Sequence, residues 1–218
     1  MPRQLRAEQT RATIITAAAD LFDQRGYEAT SLSDIVERAK VTKGALYFHF
    51  AAKEDLAHAI MELQSEASRQ VAGEVDGHDY PSLEALIRIM FAMTRLSVQG
   101  PVTRAGLRLA TGPVPLREPL RHPFIEWLEI VTQRLQSAAR ENDIHPDVDV
   151  DAVAHSLVSF FVGTRVVGRH LEPVARLPRR MAEMWRVLVR GLVPVTRRPR
   201  YMTLITRLER EVMAAAAV

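Results

Sequence analysis

Residues 38–53, RAKVTKGALYFHFAAK, carry Arg38, Lys40, Lys43 and Lys53 and no acid. Those three are all the lysines in a chain of 218 residues; arginine supplies the positive charge elsewhere. Cations unopposed by carboxylates suit a polyanion, because each phosphate they neutralise releases condensed counterions. The spacing suggests roles. Thr42 is placed to cap a short helix and can also donate its hydroxyl to a phosphate. Lys43, at the first helical position, can donate to guanine O6 and N7. Gly44 lets the helix N-terminus and its free N–H groups approach a nucleic-acid backbone. Tyr47 and His49 are expected to hydrogen-bond phosphates, with Lys53 as a further phosphate clamp. Ser31, at the start of the preceding helix, joins this set. Leu46, Phe48 and Phe50 are expected to anchor the unit on its own small core.

The elements that must hold these residues are helical. Ile14, Ala17, Ala18, Leu21 and Phe22 recur at three- and four-residue intervals, and Gly26 follows as a left-handed cap. Ser31 and Asp34 form a capping-box-like pair ahead of Leu32, Ile35, Val36 and Ala39. A helix over 32–39, a tight turn and a helix over 43–48 have helix-turn-helix spacing. A further helix starts near Lys53 and carries Leu56, Ile60, Leu63 and Ala67. Gly73 to Asp79 is expected to be a linker. Later helices are expected after Pro81, Pro101, Pro123, the Asp147/Asp149/Asp151 cluster, Pro178 and Pro199, since proline at a first helical turn loses no hydrogen bond. The proline-rich TGPVPLREPLRHP is expected to be a loop. The expected fold is all-α, with a three-helix helix-turn-helix module over 1–52. A larger helical domain covers 53–218.

Composition narrows the function classes. Hydrophobic residues at 47% and charged residues at 25% exclude a disordered or collagen-like chain. The lack of cysteine excludes disulfides, thiolate metal sites and a cysteine nucleophile. The run DIHPDVDVDAVAH offers Asp143, His145, Asp147, Asp149, Asp151 and His155, without the glycine and distal glutamate of a calcium loop. Its acids are expected to serve a helix start, and neither metal nor cofactor is expected. No G-x-S-x-G elbow, phosphate-cradling glycine loop or H-E-x-x-H occurs, so no enzyme is expected; the rival would be a helical enzyme using His155 or His122 as base. The arginines around LPRR and VTRRPR are a second basic patch, expected to be a solvated face, with a minor DNA or dimer-edge role left open. The most apolar stretch, SLVSFFVGTRVV, is interrupted by Arg165 and falls short of the ~20 residues a spanning helix needs. With no leader pattern at the N-terminus, a cytoplasmic protein without membrane contact is expected.

A signal-binding domain needs an apolar cavity with a few polar groups. Gln64, on the inward side of its helix, could donate to a lactone or ketone oxygen. Met90, Met93, Phe160, Thr164 and Trp185 are candidate walls. The apolar helix through 153–167, with small Ser156, Ser159 and Gly163, is expected to join Met181, Met184, Val187, Leu188 and Leu192 in a dimer face.

The stretch AADLFDQRGYEATSLSDIVERAKVTKGALYFHFAAKEDL resembles the N-terminal module of TetR-family transcriptional regulators. The likeness runs through the RGY corner, the TS-x-x-DI start, the VTKGALYFHF turn-helix and the following K-x-x-L. One departure is Ala51-Ala52, where many members place a Ser or Asn cap before the lysine. Further on, VQGPVTRAGLRLATG, HPFIEW and GLVPVTRRPRY are similar to segments of γ-butyrolactone autoregulator receptors of filamentous actinobacteria. These resemblances imply a homodimeric repressor on pseudo-palindromic operator DNA, released by a γ-butyrolactone-type ligand, with one dimer or two per operator left open. They also imply that Trp127 lines the pocket. The alternatives are a regulator of efflux genes answering varied hydrophobic drugs, or an orphan receptor without its own ligand.

Overall fold

The computed structural model describes residues 2–112, 114 and 123–215. Among them run α1 (Pro2–Arg25), α2 (Leu32–Ala39), α3 (Lys43–His49), α4 (Lys53–Asp76) and α5 (Ser82–Gln99). They are followed by α6 (Pro101–Thr111), α7 (Pro123–Arg140), α8 (Val150–Leu171), α9 (Leu177–Leu192) and α10 (Arg198–Ala215), with a 3-10 turn at Val174–Arg176. The described residues hold no strand, in keeping with the all-α expectation. Most of TGPVPLREPLRHP, with His122, lies outside the described residues.

The chain divides into two compact units. The first holds α1 to α3, α4 through Ala67, and α6; the second holds α4 from Ser68, α5 and α7 to α10. A boundary at residue 52 would cut the first unit's core, because Leu56, Ala57, Ile60 and Met61 of α4 are buried in the same cluster as Ile14, Ala18 and Phe22 of α1.

In the first unit α1 ends where Gly26 takes a φ of +89° and returns its N–H to the Phe22 carbonyl at 3.0 Å. A side chain at Gly26 would be strained by that angle and would meet the Arg108 guanidinium at 2.9 Å. Arg108 donates to the Asp23 carbonyl at 2.5 Å, and Arg104 donates to the Asp23 carboxylate at 2.6 Å. Two cations of α6 thus sit at the negative end of the α1 dipole.

The second unit closes over Leu86, Met90, Phe91, Val131, Leu135, Leu157, Met181, Trp185, Tyr201 and Ile205. Carboxylates pin its edges. Glu84 accepts from Arg88 at 2.6 Å and from Arg200 at 2.7 Å. Burial would raise the Glu84 carboxyl, but these hydrogen bonds outweigh it and hold the group below its ordinary value. Buried Asp143 accepts from the Tyr201 hydroxyl at 2.7 Å and pairs with Arg197. Burial, and then that hydrogen bond, push the Tyr201 phenol up.

The acids near 143–151 therefore divide. Asp149 caps α8 by accepting from the Ala152 N–H at 3.0 Å, and Asp151 lies in its first turn, as expected. Asp143 is instead a buried tie between the α7–α8 connection and α10, a role that only the distant Tyr201 and Arg197 reveal.

Two local expectations need correction. The linker expected over 73–79 begins later, because α4 continues through Gly73 to Asp76. Asp76 pairs with Arg134 of α7, and that tertiary contact overrides the weak helix propensity of glycine. The apolar stretch around Arg165, expected to fall short of a spanning length, lies within the helix expected after the Asp147/Asp149/Asp151 cluster. α8 has 22 residues and is apolar enough, by length and composition, to cross a membrane, though only 22% of its most apolar window is buried.

Candidate nucleic-acid interface and apolar ligand core

The helix-turn-helix is built by caps. Ser31 and Asp34 form a complete capping box: the Asp34 N–H donates to Ser31 Oγ at 3.1 Å, and the Ser31 N–H donates to the Asp34 carboxylate at 2.8 Å. The Ser31 hydroxyl also donates to that carboxylate at 2.7 Å, which holds the Asp34 carboxyl below its ordinary range. The proton Ser31 could offer to a phosphate is thus already occupied. α2 ends at Lys40 in the left-handed conformation, φ 52°, and the Val41 N–H reaches back to the Val36 carbonyl. Thr42 then caps α3, accepting from the Ala45 N–H at 3.1 Å. Its hydroxyl proton has no acceptor among the described residues and points to a second use.

On α3 only Leu46 is buried, and Phe50 closes the helix into the core. Lys43, Gly44 and Tyr47 are exposed, as the DNA assignment needs, and His49 is half-buried. Lys43 and Lys40 have no carboxylate partner among the described residues. Gly44 has unfilled space around it: a Cβ there would meet nothing closer than Thr42 Oγ1 at 4.0 Å.

Two residues depart from expectation. Phe48, expected in the core, is 79% exposed with its ring edge-on to His49 at 5.0 Å. Positions 44 and 48 lie one turn apart on a helix whose inward face is set by Leu46, so the 3.6-residue period would have found it. Lys53, expected to be a free clamp, donates its ammonium to the carbonyls of Tyr27 at 2.9 Å and Thr30 at 3.0 Å. It also lies 4.2 Å from the centre of the Tyr27 ring. It ties the start of α4 to the corner before α2, which leaves one of three ammonium protons for a phosphate. Next to it, the absent cap at Ala51-Ala52 is half replaced, since Asp55 accepts from the Ala52 N–H at 2.8 Å.

Of the expected ligand residues, Met90, Met93 and Trp185 are buried in the second unit's core, and half-buried Trp127 packs against the same cluster. Trp127 stacks on Phe161, with centroids 5.6 Å apart and planes 17° from parallel. The buried indole N–H of Trp185 has no hydrogen-bond partner among the described residues. Such an orphaned donor needs an acceptor from elsewhere. The other three are placed differently. Gln64 belongs to the first unit, buried so tightly on α6 that a Cβ at Gly106 would meet its Cβ at 2.6 Å. Thr164 donates to the Phe160 carbonyl at 2.8 Å, and the Phe160 ring is 46% exposed.

The expected dimer face divides in the same way. Leu157, Phe161, Met181, Met184 and Leu192 are buried within their own unit, whereas Phe160, Val166, Val167 and Val187 are exposed. Helical period alone does not separate a helix's core stripe from a partner stripe beside it.

A capped helix-turn-helix whose second helix presents an acid-free face, in a chain with a separate helical core, defines a DNA-binding transcriptional regulator rather than an enzyme. The family described as Bacterial regulatory proteins, tetR family, matches residues 14–60, and the Tetracyclin repressor-like, C-terminal domain matches residues 80–194. The chain belongs to the TetR family. It is similar to the A-factor receptor protein of Streptomyces griseus, 38% identical over 187 residues; the match covers 85% of this chain and 64% of that receptor. A γ-butyrolactone receptor described as ArpA-like is 66% identical, with a TM-score of 0.86, over 94% of this chain and 99% of that one. CprB from Streptomyces coelicolor, solved in complex with its biological operator sequence, is 67% identical with a TM-score of 0.88. That match covers 94% of this chain and 98% of CprB.

Proposed function

We propose that this protein is a cytoplasmic homodimeric repressor that binds a pseudo-palindromic operator through α3 and is released by a γ-butyrolactone-type ligand. The observation that carries the reading is the outward face of α3. Lys43, Gly44 and Tyr47, with the newly placed Phe48, are exposed there without an acid among them, and Thr42 has a hydroxyl proton to donate. The 67% identity to CprB, a protein solved with its operator, supports operator binding. In a two-fold dimer the two copies of α3 enter successive major grooves. Lys43 donates to a base edge, Phe48 offers an apolar contact to a thymine methyl, and Thr42, Tyr47 and His49 hold phosphates. The exposed apolar side chains of α8 and α9, Phe160, Val166, Val167 and Val187, are covered by the second copy, which also accounts for the hydropathy of α8 without a membrane.

The ligand is bound in the second unit. Trp127 and the methionines supply an apolar lining, and the orphaned Trp185 N–H donates to the lactone carbonyl. Binding favours a state whose recognition helices no longer match the operator, and the coupling is reciprocal, so operator DNA weakens ligand binding by the same factor.

The test is a duplex palindrome recovered by selection from random sequence, followed by mobility shift with and without a γ-butyrolactone. Binding weakened by Lys43→Ala and reversed by the lactone supports the reading. Full retention of binding by that variant overturns the α3 assignment. Tryptophan fluorescence titrated with the lactone and with unrelated cationic dyes tests the ligand separately. Equal response to both would favour a drug-responsive regulator of efflux genes.

A further inference from the structure

Arg11 lies on α1 ahead of Ile14, the first residue of that helix to be buried. Its guanidinium sits 5.3 Å from the centre of the Phe50 ring. Phe50 is the buried residue that closes α3, and its ring lies 6.3 Å from that of His49. This contact places a positive charge near the C-terminal end of the recognition helix. Two other arginines of the first unit have acid partners, Arg38 with Asp20 and Arg104 with Asp23. Arg11 has no carboxylate partner among the described residues, and Glu8, one turn earlier, does not pair with it. A residue needed only to cover Phe50 could be uncharged. A planar guanidinium laid over a ring keeps its five N–H donors at its rim, where they can fork onto an oxyanion.

We propose that Arg11 is a phosphate-binding residue that extends the DNA contact from α3 onto α1. The proposal rests on α3 being the recognition helix. Such helices read base edges from their N-terminal residues, so a cation held at the other end meets the sugar–phosphate backbone. Phe50 holds the guanidinium in place, and its burial in the core makes that hold rigid.

Arg11→Ala, Arg11→Lys, Lys43→Ala and the charge-matched control Arg95→Ala are compared with wild type by fluorescence anisotropy across a salt series. The probes are the selected palindrome and a random-sequence duplex of about three helical turns. A phosphate contact is blind to sequence, so Arg11→Ala should weaken both probes roughly tenfold at low salt and flatten the log–log salt slope by about one unit per protomer. Lys43→Ala should weaken the palindrome more than the random duplex, which separates failure of the α3 reading from failure of this proposal. Arg11→Lys should restore the slope, and Arg95→Ala should leave both probes unchanged. If Arg11→Ala lowers only the thermal midpoint and leaves the slope intact, the residue merely packs on Phe50 and the proposal falls.

Discussion

Lys40 and Lys43 face solvent without a carboxylate among the described residues, whereas most arginines between 179 and 207 pair with acids, near or distant in the chain. Arg180 lies between Glu172 and Glu183, Arg186 meets Glu209, Arg197 meets Asp143, Arg200 meets Glu84, and Arg207 meets Glu211. By sequence both regions look like basic patches, and the second carries more positive charge. Folding separates them, because Arg186, Arg197 and Arg200 find acids far away in the chain, while an acid-free strip needs both local and tertiary absence of carboxylates. Charge that a fold leaves unpaired on a rigid, capped element is available to a phosphate. Charge already paired is not.

The largest expected effect breaks this comparison directly. Lys43→Ala should cost about 1–3 kcal/mol of operator binding and relax specificity at one position of each half-site. Arg180→Ala, which removes an equal charge from the paired region, should leave the same titration unchanged. If Arg180→Ala weakened the complex as much, pairing would be irrelevant and the basic C-terminal region would belong to the interface.

Arg200→Ala sharpens the paired side. It leaves the Glu84 carboxylate with Arg88 alone, and the loss of a charge-assisted hydrogen bond at a half-exposed arginine should destabilise the fold by about 1 kcal/mol, read by urea unfolding near neutral pH. The sign with pH follows from the depressed Glu84 carboxyl. Its contribution is present above the ordinary glutamate value and is lost as pH falls through the lowered folded value. The difference between wild type and variant should therefore shrink as pH falls below the ordinary glutamate range.

The sequence made the recognition element legible because its signals are local. Ser31–Asp34, Thr42, Gly26 and the acid-free window are each defined within a few residues, and the helix positions follow from prolines and apolar spacing. What it could not show depends on distance in the chain. Lys53 looked free until the carbonyls of Tyr27 and Thr30 came to it, and Arg11 gave no sign of standing over Phe50. The expected dimer face was only partly legible for a related reason: α8 carries a core stripe and an exposed apolar stripe side by side, and hydrophobicity alone does not say which neighbour covers each. Phe48 is different, since its outward direction followed from α3's own period and was masked by the habit of burying phenylalanine.

The two caps of the helix-turn-helix allow a finer test. Ser31→Ala and Thr42→Ala each remove a side chain that accepts a backbone N–H, so each should lower stability by about 1 kcal/mol in thermal or urea unfolding. Only Thr42 retains a hydroxyl proton that no described residue accepts. Thr42→Ala should therefore also weaken DNA binding, while Ser31→Ala, measured where the protein is fully folded, should not. Equal losses in DNA affinity would mean that the caps act through helix stability alone.

The smallest effect on stability carries an opposite sign for function. Gly44 lies in the first turn of α3 at an ordinary helical angle, and a methyl group there would meet only Thr42 Oγ1, at 4.0 Å, among the described residues. Glycine in a helix costs about 0.5–1 kcal/mol relative to alanine, so Gly44→Ala should raise the unfolding midpoint slightly. Nothing inside the protein explains the glycine, yet an added Cβ would stand between the free N–H groups of the helix start and a phosphate. Operator affinity should consequently fall several-fold in a variant that is more stable than wild type. A variant stabilised with unchanged affinity would show that the DNA backbone does not approach this turn, and the close contact assigned to the start of α3 would have to be moved to Tyr47 and Phe48.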